Sequence, residues 1–452
     1  MRTWKVKGIT GALASGLAAL VIAPSALAEP TVQFAAHKFQ APPSTVQCEQ
    51  ALGIACYDAA QFERAYGTNE LYAHGVTGAG QTIVIVDAFG SPTIKHDLAE
   101  YDSQNGLPAP PSFNIITPEG APPPYNGDNG TMGSWAIETS LDVEMAHTMA
   151  PGANILLVET PIAETEGIEG FVPIEHAIQY VVENHLGNVI SQSFGATEQT
   201  FAGGPAQIKS LEFAYQSAAN NGVTVLASSG DTGAANYEPD GVNLYGFPAV
   251  GWPASDPLVT AVGGTQLHLD WNGRPTAPPN VWNDTALFGS PAAGSGGLSS
   301  VFSRPSYQDS VSSVVGNSRG IPDLSASAAV NGGAALYISA VNGPEGLAGP
   351  GWYIVGGTSE ASPLTAGIIS LADQVAGHGL GLINPALYAM GDGAGSGLTD
   401  ITLGNNGVTW TNSQGMMESL PGYNAAPGYD LASGLGTPWA PRFVAELVAL
   451  SQ

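Results

Sequence analysis

The stretch VGGTSEASPLTAGIIS at 355–370 sets Ser359 between a pair of glycines and a run of small and aliphatic residues. Glycines permit unusual backbone angles, and the pattern that follows predicts a buried helix. A serine in the first turn of such a helix lies near unpaired N–H groups and the positive end of the helix dipole, where a developing oxyanion is stabilised. Pro363 is compatible with this reading, because a first turn does not need its missing N–H. Alone, the string describes a helix cap as well as it describes a nucleophile. Partners elsewhere in the chain have to decide.

Three carboxylates are candidates. Glu138 and Asp142 lie four residues apart in WAIETSLDVEMAHTM (135–149), which makes them neighbours on one helix face. An exposed acidic face is one reading of that spacing. The apolar stripe of Ala136, Ile137, Leu141, Met145 and Met149 favours another, a partly buried pair that shares protons. One pKa of such a pair is raised, which suits general acid–base work below neutral pH. Asp231 follows a short apolar run in SSGDTG. It is either a turn residue before Gly233 or a protonated acid able to donate a hydrogen bond to an oxyanion.

The elements that must position these groups are legible as alternation. Short apolar runs at 81–88, 155–160, 188–194 and 223–230 read as buried strands, and helical patterns fall at about 94–103, 133–149, 171–185 and 205–220. Strand alternating with helix predicts a doubly wound parallel α/β sheet with helices on both faces. Reactive groups are then expected at the carboxyl ends of the strands. Beyond Asp231 the text is turn-rich, with no linker or repeat, so a single large domain is expected over 57–452.

Composition narrows the function classes. Acidic residues number 38 against 11 basic, and the formal charge is −27. Residues 1–28 read as a secretory signal: Arg2, Lys5 and Lys7, an apolar run, then Ala26-Leu27-Ala28 as a cleavage site. Its removal takes three basic and no acidic residues, giving −30, and implies an extracellular protein. Such a surface argues against nucleic acid or an anionic membrane as partner and is suited either to solubility or to acid. Residues 29–56 read as an irregular lead-in, in which the only cysteines, Cys48 and Cys56, are expected to form a small disulfide loop.

An ordinary Ser-His-Asp site is the rival arrangement. Asp87, ending the first strand in IVIVDAFG, is where its aspartate would stand, but no His-Gly-Thr string accompanies it. His96 and His147 are the nearest histidines, and His147 falls off the Glu138/Asp142 face, as a hydrogen-bonded structural residue would.

Taken together and in order, Glu138-x-x-x-Asp142, SSGD ending at Asp231, and GGTSEASP with Ser359 resemble the sedolisin family, the serine-carboxyl peptidases. SQSFG (191–195), WPASDPLVTAVGGT (252–265), FSRPSYQ (302–308) and GLGTP (434–438) fit the same family. The resemblance implies a subtilisin-like fold and an acid-acting endopeptidase or tripeptidyl peptidase on protein or peptide substrates. By motif, Ser359 is the nucleophile, Glu138 the base, Asp142 its orienting partner, and Asp231 completes the oxyanion hole. A carboxylate base works where an imidazole would be protonated.

The family also implies one structural calcium, Ca2+. By motif its ligands are Asp400 and Ile401 in TDITLGNNG, with Ala426, Gly428 and Asp430 in AAPGYD. Oxygen ligands of this kind suit a hard cation. Ala426 replaces the usual glycine, so its carbonyl can serve only where the backbone angles allow alanine. Sedolisins commonly carry a long prodomain, but only about fifty residues lie between Ala28 and the first strand, too few for an independent domain. The chain is therefore expected either to lack a zymogen stage or to use the Cys48–Cys56 lead-in differently. A monomer is expected. A secreted binding protein that kept the fold and lost catalysis is the competing class, and its sign would be a broken constellation.

Overall fold

The computed structural model describes residues 33–340, 347, 349–391 and 396–451, so the secretory leader expected at 1–28 lies outside the described residues. The elements that matter for the site begin with β1 (Gln33–Phe39), α1 (Thr45–Leu52) and β2 (Cys56–Tyr57). The doubly wound part follows as β3 (Thr82–Ala88), α2 (Ile94–Asn105), β4 (Phe113–Ile116), α3 (Gly130–Met149) and β5 (Asn154–Thr160). It continues through α4 (Phe171–Glu183), β6 (Val189–Gln192), α5 (Phe213–Asn220), β7 (Thr224–Ser228) and β8 (Thr260–Gln266). The last are β9 (Asn280–Val281), β10 (Leu324–Ser327), β11 (Gly333–Ile338), β12 (Gly351–Gly356) and α6 (Thr358–Ala376).

The main sheet runs β9-β8-β7-β6-β3-β5-β4, with β10 also paired to β8. All its pairings are parallel except β8 with β9. Alternate residues of β3 divide between two cores: Ile83 and Ile85 face one side, Val84 and Val86 the other. That period of two, buried on both faces, is why the strands read as continuous apolar runs. The expected doubly wound single domain is the observed one.

Differences are local. Residues 33–56 are not irregular: β1 pairs antiparallel with β12, and α1 starts at a capping box between Ser44 and Gln47. Cys48 and Cys56 are joined by a disulfide that ties α1 to β2. Strand pairing over more than 300 residues of chain leaves no local signature at 33–39, which explains why the lead-in looked unstructured. The helix expected at 205–220 is broken into Gly204–Lys209 and Phe213–Asn220, with the Ser210 hydroxyl bonding back to the Gln207 carbonyl at 2.6 Å. Among the described residues no helix is long and apolar enough to cross a membrane.

α3 is more deeply set than its stripe implied. Every residue from Met132 to Met149 is buried, and α3 packs against α6. Gly367 makes the close approach possible, since a Cβ there would fall 2.4 Å from that of Met149. The pairing of these two helices, one bearing the carboxylates and the other the serine, creates the site.

Candidate active site

Ser359 is the second residue of α6, entered from β12 through Gly357 at φ 114°. Only glycine tolerates that conformation readily, and a Cβ at 357 would stand 2.6 Å from Asp231 Oδ2. The turn therefore brings the helix start directly against the end of β7. Asp231 Oδ1 accepts the Thr358 amide at 2.8 Å and the Thr358 hydroxyl at 2.7 Å, and that hydroxyl in turn accepts the Gly230 amide at 3.0 Å. Burial pushes the Asp231 carboxyl up to about 7, so in acid it carries a proton. The Ser359 N–H, in the first helical turn, has no carbonyl one turn behind it in the helix.

On the facing helix Glu138 and Asp142 are wholly buried. The Ser359 hydroxyl lies beside the Glu138 carboxyl and offsets part of the rise in its pKa, which burial and then the Asp87 charge drive well above the usual carboxylate range. Asp142 Oδ1 accepts the Ser193 hydroxyl at 2.8 Å. Its pKa too is raised well above the ordinary value, by burial first, then by Glu138 and Asp87. Asp87, at the carboxyl end of β3, is pushed up to about 7 by burial, with the Glu159 charge adding to it. Neither oxygen of Asp87 or of Glu138, nor Oδ2 of Asp142, has a donor in full hydrogen-bonding geometry among the described residues, although the Thr139 hydroxyl lies near enough to Asp87 to lower its pKa. A proton held between Asp87 and Asp142 satisfies both, because each affects the other as a hydrogen-bonded partner.

The four residues singled out by spacing thus lie in one cluster. Two more belong with them. Asp87 was read as the aspartate of the rival arrangement; its place beside Asp142 depends on how α3 crosses β3, which no local string encodes. Ser193 sits just past the point where β6 stops at Gln192. That strand was expected to run to 194, and its earlier end frees the serine to turn toward Asp142. His147 stands apart, with Nε2 2.8 Å from the Pro108 carbonyl and 3.3 Å from Asp102, and burial lowers its pKa to about 4. It is a core histidine in contact with none of the cluster.

A pocket open to solvent has Ser359, Thr358 and Asp231 on its wall and is framed by the chain leaving β6 and β7. Glu164 and Glu166, from the segment after β5, line it as well. A model of the subtilase family matches residues 125–385, more than half of the chain. Kumamolisin of Bacillus sp. (strain MN-32) is 33% identical over 385 residues, which cover 83% of this chain and 62% of that protein. The chain belongs to the subtilase family, on its sedolisin branch. Tripeptidyl-peptidase sed4 of Aspergillus fumigatus is 31% identical over 403 residues, covering 76% of this chain and 58% of that one. The chain therefore spans about three fifths of the length of these curated relatives. A solved Pseudomonas sedolisin, a serine-carboxyl proteinase in complex with two molecules of pseudo-iodotyrostatin, superposes with a TM-score of 0.69 at 28% identity. That match covers 87% of this chain and 98% of the sedolisin chain. Asp400 and Asp430 of this sedolisin-type domain lie in neighbouring loops, where Gly428 N–H donates to Asp400 Oδ2 at 3.0 Å and Ala426 N–H to Asp430 Oδ2 at 2.8 Å.

Proposed function

We propose that the chain is a secreted, acid-acting serine-carboxyl endopeptidase that hydrolyses peptide bonds through an acyl-enzyme on Ser359. The observation that carries this reading is the buried set of Glu138, Asp142 and Asp87 beside the Ser359 hydroxyl, with no histidine in the cluster. Membership of the sedolisin branch supports it. The leader at 1–28 and the Cys48–Cys56 disulfide support export.

In this mechanism Glu138, ionised within a cluster that retains shared protons, takes the Ser359 proton as Oγ attacks the peptide carbonyl. Asp142 and Asp87 keep the released charge within a hydrogen-bonded set, and Ser193 orients Asp142. Negative charge on the carbonyl oxygen is met by the Ser359 N–H and by protonated Asp231, whose position the Thr358 bonds define. Glu138 returns the proton to the leaving amine. A water then attacks the acyl-enzyme, giving its proton to Glu138, and Ser359 recovers a proton as the acid product departs.

Asp400, Ile401, Ala426, Gly428 and Asp430 are assigned to one Ca2+. The donors are all oxygen, and the two loops are already held together by the Gly428–Asp400 bond. Phe89 and His185 are the only non-glycine residues with positive φ among those described, so Ala426 can offer its carbonyl without strain. When bound, the ion would crosslink the loop after Thr399 to the loop before Leu431.

Replacing Ser359 by alanine tests the reading: digestion of denatured protein in acid should fall by at least about 10^4-fold. Undiminished cleavage would end it. Tripeptidyl peptidase action is a second reading, favoured by the Aspergillus relative named for that activity. Comparing a peptide with its N-terminally blocked form separates the two, since release of tripeptides requires the free end.

A further inference from the structure

The cavity beside Ser359 carries an uneven chemistry. Ser359 and Asp231 stand together on its wall. A peptide carbonyl lying between the attacking oxygen and the oxyanion donor would place the side chain of its own residue, P1, nearest to this opening. The walls are Phe194, Trp252 and the Tyr237 ring, while Glu164 and Glu166 supply two carboxyl groups. No lysine, arginine or histidine is among the described residues lining it.

Glu166 is anchored away from the nucleophile, with Oε2 accepting the Thr197 amide at 2.9 Å. Thr197 belongs to the short strand pair with Gly251 and Trp252, so this carboxyl is built into the pocket wall rather than into a mobile surface. Tyr237 lies close enough to both Asp231 and Glu166 to be affected by each charge, so Asp231 at the nucleophile and Glu166 share this one lining. The titratable groups facing Glu166 are Tyr237, Tyr245 and, along the same lining, Glu164 and Asp231. None of them supplies a positive charge.

Resting on the peptidase reading, we infer that this pocket selects lysine or arginine at P1, with Glu166 and Glu164 receiving the cation while the aromatic walls pack against its aliphatic stem. Long basic side chains match such a site because their stems are apolar and their heads are donors only. Burial pushes the Glu166 carboxyl up to about 7, against the opposing pull of its Thr197 and Thr200 hydrogen bonds. A bound cation favours the ionised form and lowers that value, so uptake of a basic side chain is linked to proton release. The preference should therefore strengthen as pH rises.

A series of quenched-fluorescent peptides differing only at P1 (Lys, Arg, Leu, Phe or Glu) tests this with the full-length protein. The expected result is kcat/KM for Lys and Arg exceeding that for Leu by about tenfold or more, with the ratio growing from about pH 4 to about pH 6. E166Q and E164Q should each pull the ratio toward one, whereas E169Q, at an exposed neighbour, should leave it in place. Equal or better cleavage after Leu, Phe or Glu overturns the inference in the unmodified protein, with no variant required. Cleavage that ignores P1 defeats this inference alone. Absence of cleavage for every peptide defeats the peptidase reading and this inference with it.

Discussion

Asp231 Oδ1 is bonded to both the amide and the hydroxyl of Thr358, the residue immediately before the serine. The second oxygen, Oδ2, is thereby turned toward Gly357 and the cavity. One carboxyl group thus fastens the start of α6 to the end of β7 and leaves its second oxygen free toward the cavity, where the proposed mechanism needs a proton.

This orientation predicts an alkaline limit to activity. As pH rises through about 7, Asp231 loses its proton and its charge opposes the oxyanion. Asp231→Asn keeps the Thr358 bonds with its oxygen and offers an N–H on the other side, so kcat/KM of this variant should persist to higher pH. Asp231→Ala should lose about 10^2–10^3-fold in kcat. Matching pH profiles for the parent and Asp231→Asn would refute the assignment.

Stability should fall, not rise, between acid and neutral pH. Burial raises the carboxyls of Asp87, Asp231 and Asp256 to about 7 and Asp373 to about 8. Their unfolded counterparts titrate near the ordinary value, so between about pH 4 and these folded values the native state holds more protons than the unfolded chain. Their contribution is complete below the unfolded pKa and is lost as pH rises through the folded one. His147, lowered to about 4, pulls the opposite way between that value and its ordinary one, but a single group is outweighed by four. Thermal unfolding followed by circular dichroism should show Tm dropping from about pH 4 to about pH 7, and a Tm that climbs over that interval would contradict this account.

Asp87 should affect rate through the buried pair. Asp87→Asn replaces a shareable proton with a fixed amide next to Asp142. A fall in kcat of about tenfold or more is expected, with KM little changed and the acid limb of the pH profile displaced. A variant with the parent's kcat and acid limb would show Asp87 to be structural only.

Chelation should lower thermal stability and added calcium should restore it. Asp400→Ala, which removes one assigned ligand, should abolish that calcium response. Calorimetry of the chelator-treated protein titrated with Ca2+ reads the binding directly, and the absence of binding heat in the parent would remove the ion from the description.

Sequence patterns located Ser359, Glu138, Asp142 and Asp231 because each sits in a short string whose local geometry carries the meaning: an i, i+4 pair, a strand end, a glycine turn. Asp87 was visible as a strand-end residue, yet its partner was not. Contact with Asp142 follows from the angle at which α3 lies over β3. Full burial of α3 also escaped the pattern, since the helix is enclosed by α6, β11 and α2 and its apolar stripe marks only one of those neighbours. Glu166 had no signal at all, being one acid among many until the fold turned it toward a cavity.

β1 lies at the rim of the four-stranded β1-β12-β11-β2 sheet, zipped along the strand that runs straight into Gly357 and Ser359. Were trimming of the N-terminus to pass Gln33, β12 would become a bare rim offering a row of unpaired amides and carbonyls to any extended chain nearby. Any N-terminal trimming of the polypeptide would therefore have an inner boundary. A cut ahead of that strand leaves the serine's scaffold sealed, whereas a cut behind it would invite self-association at the segment that carries the nucleophile.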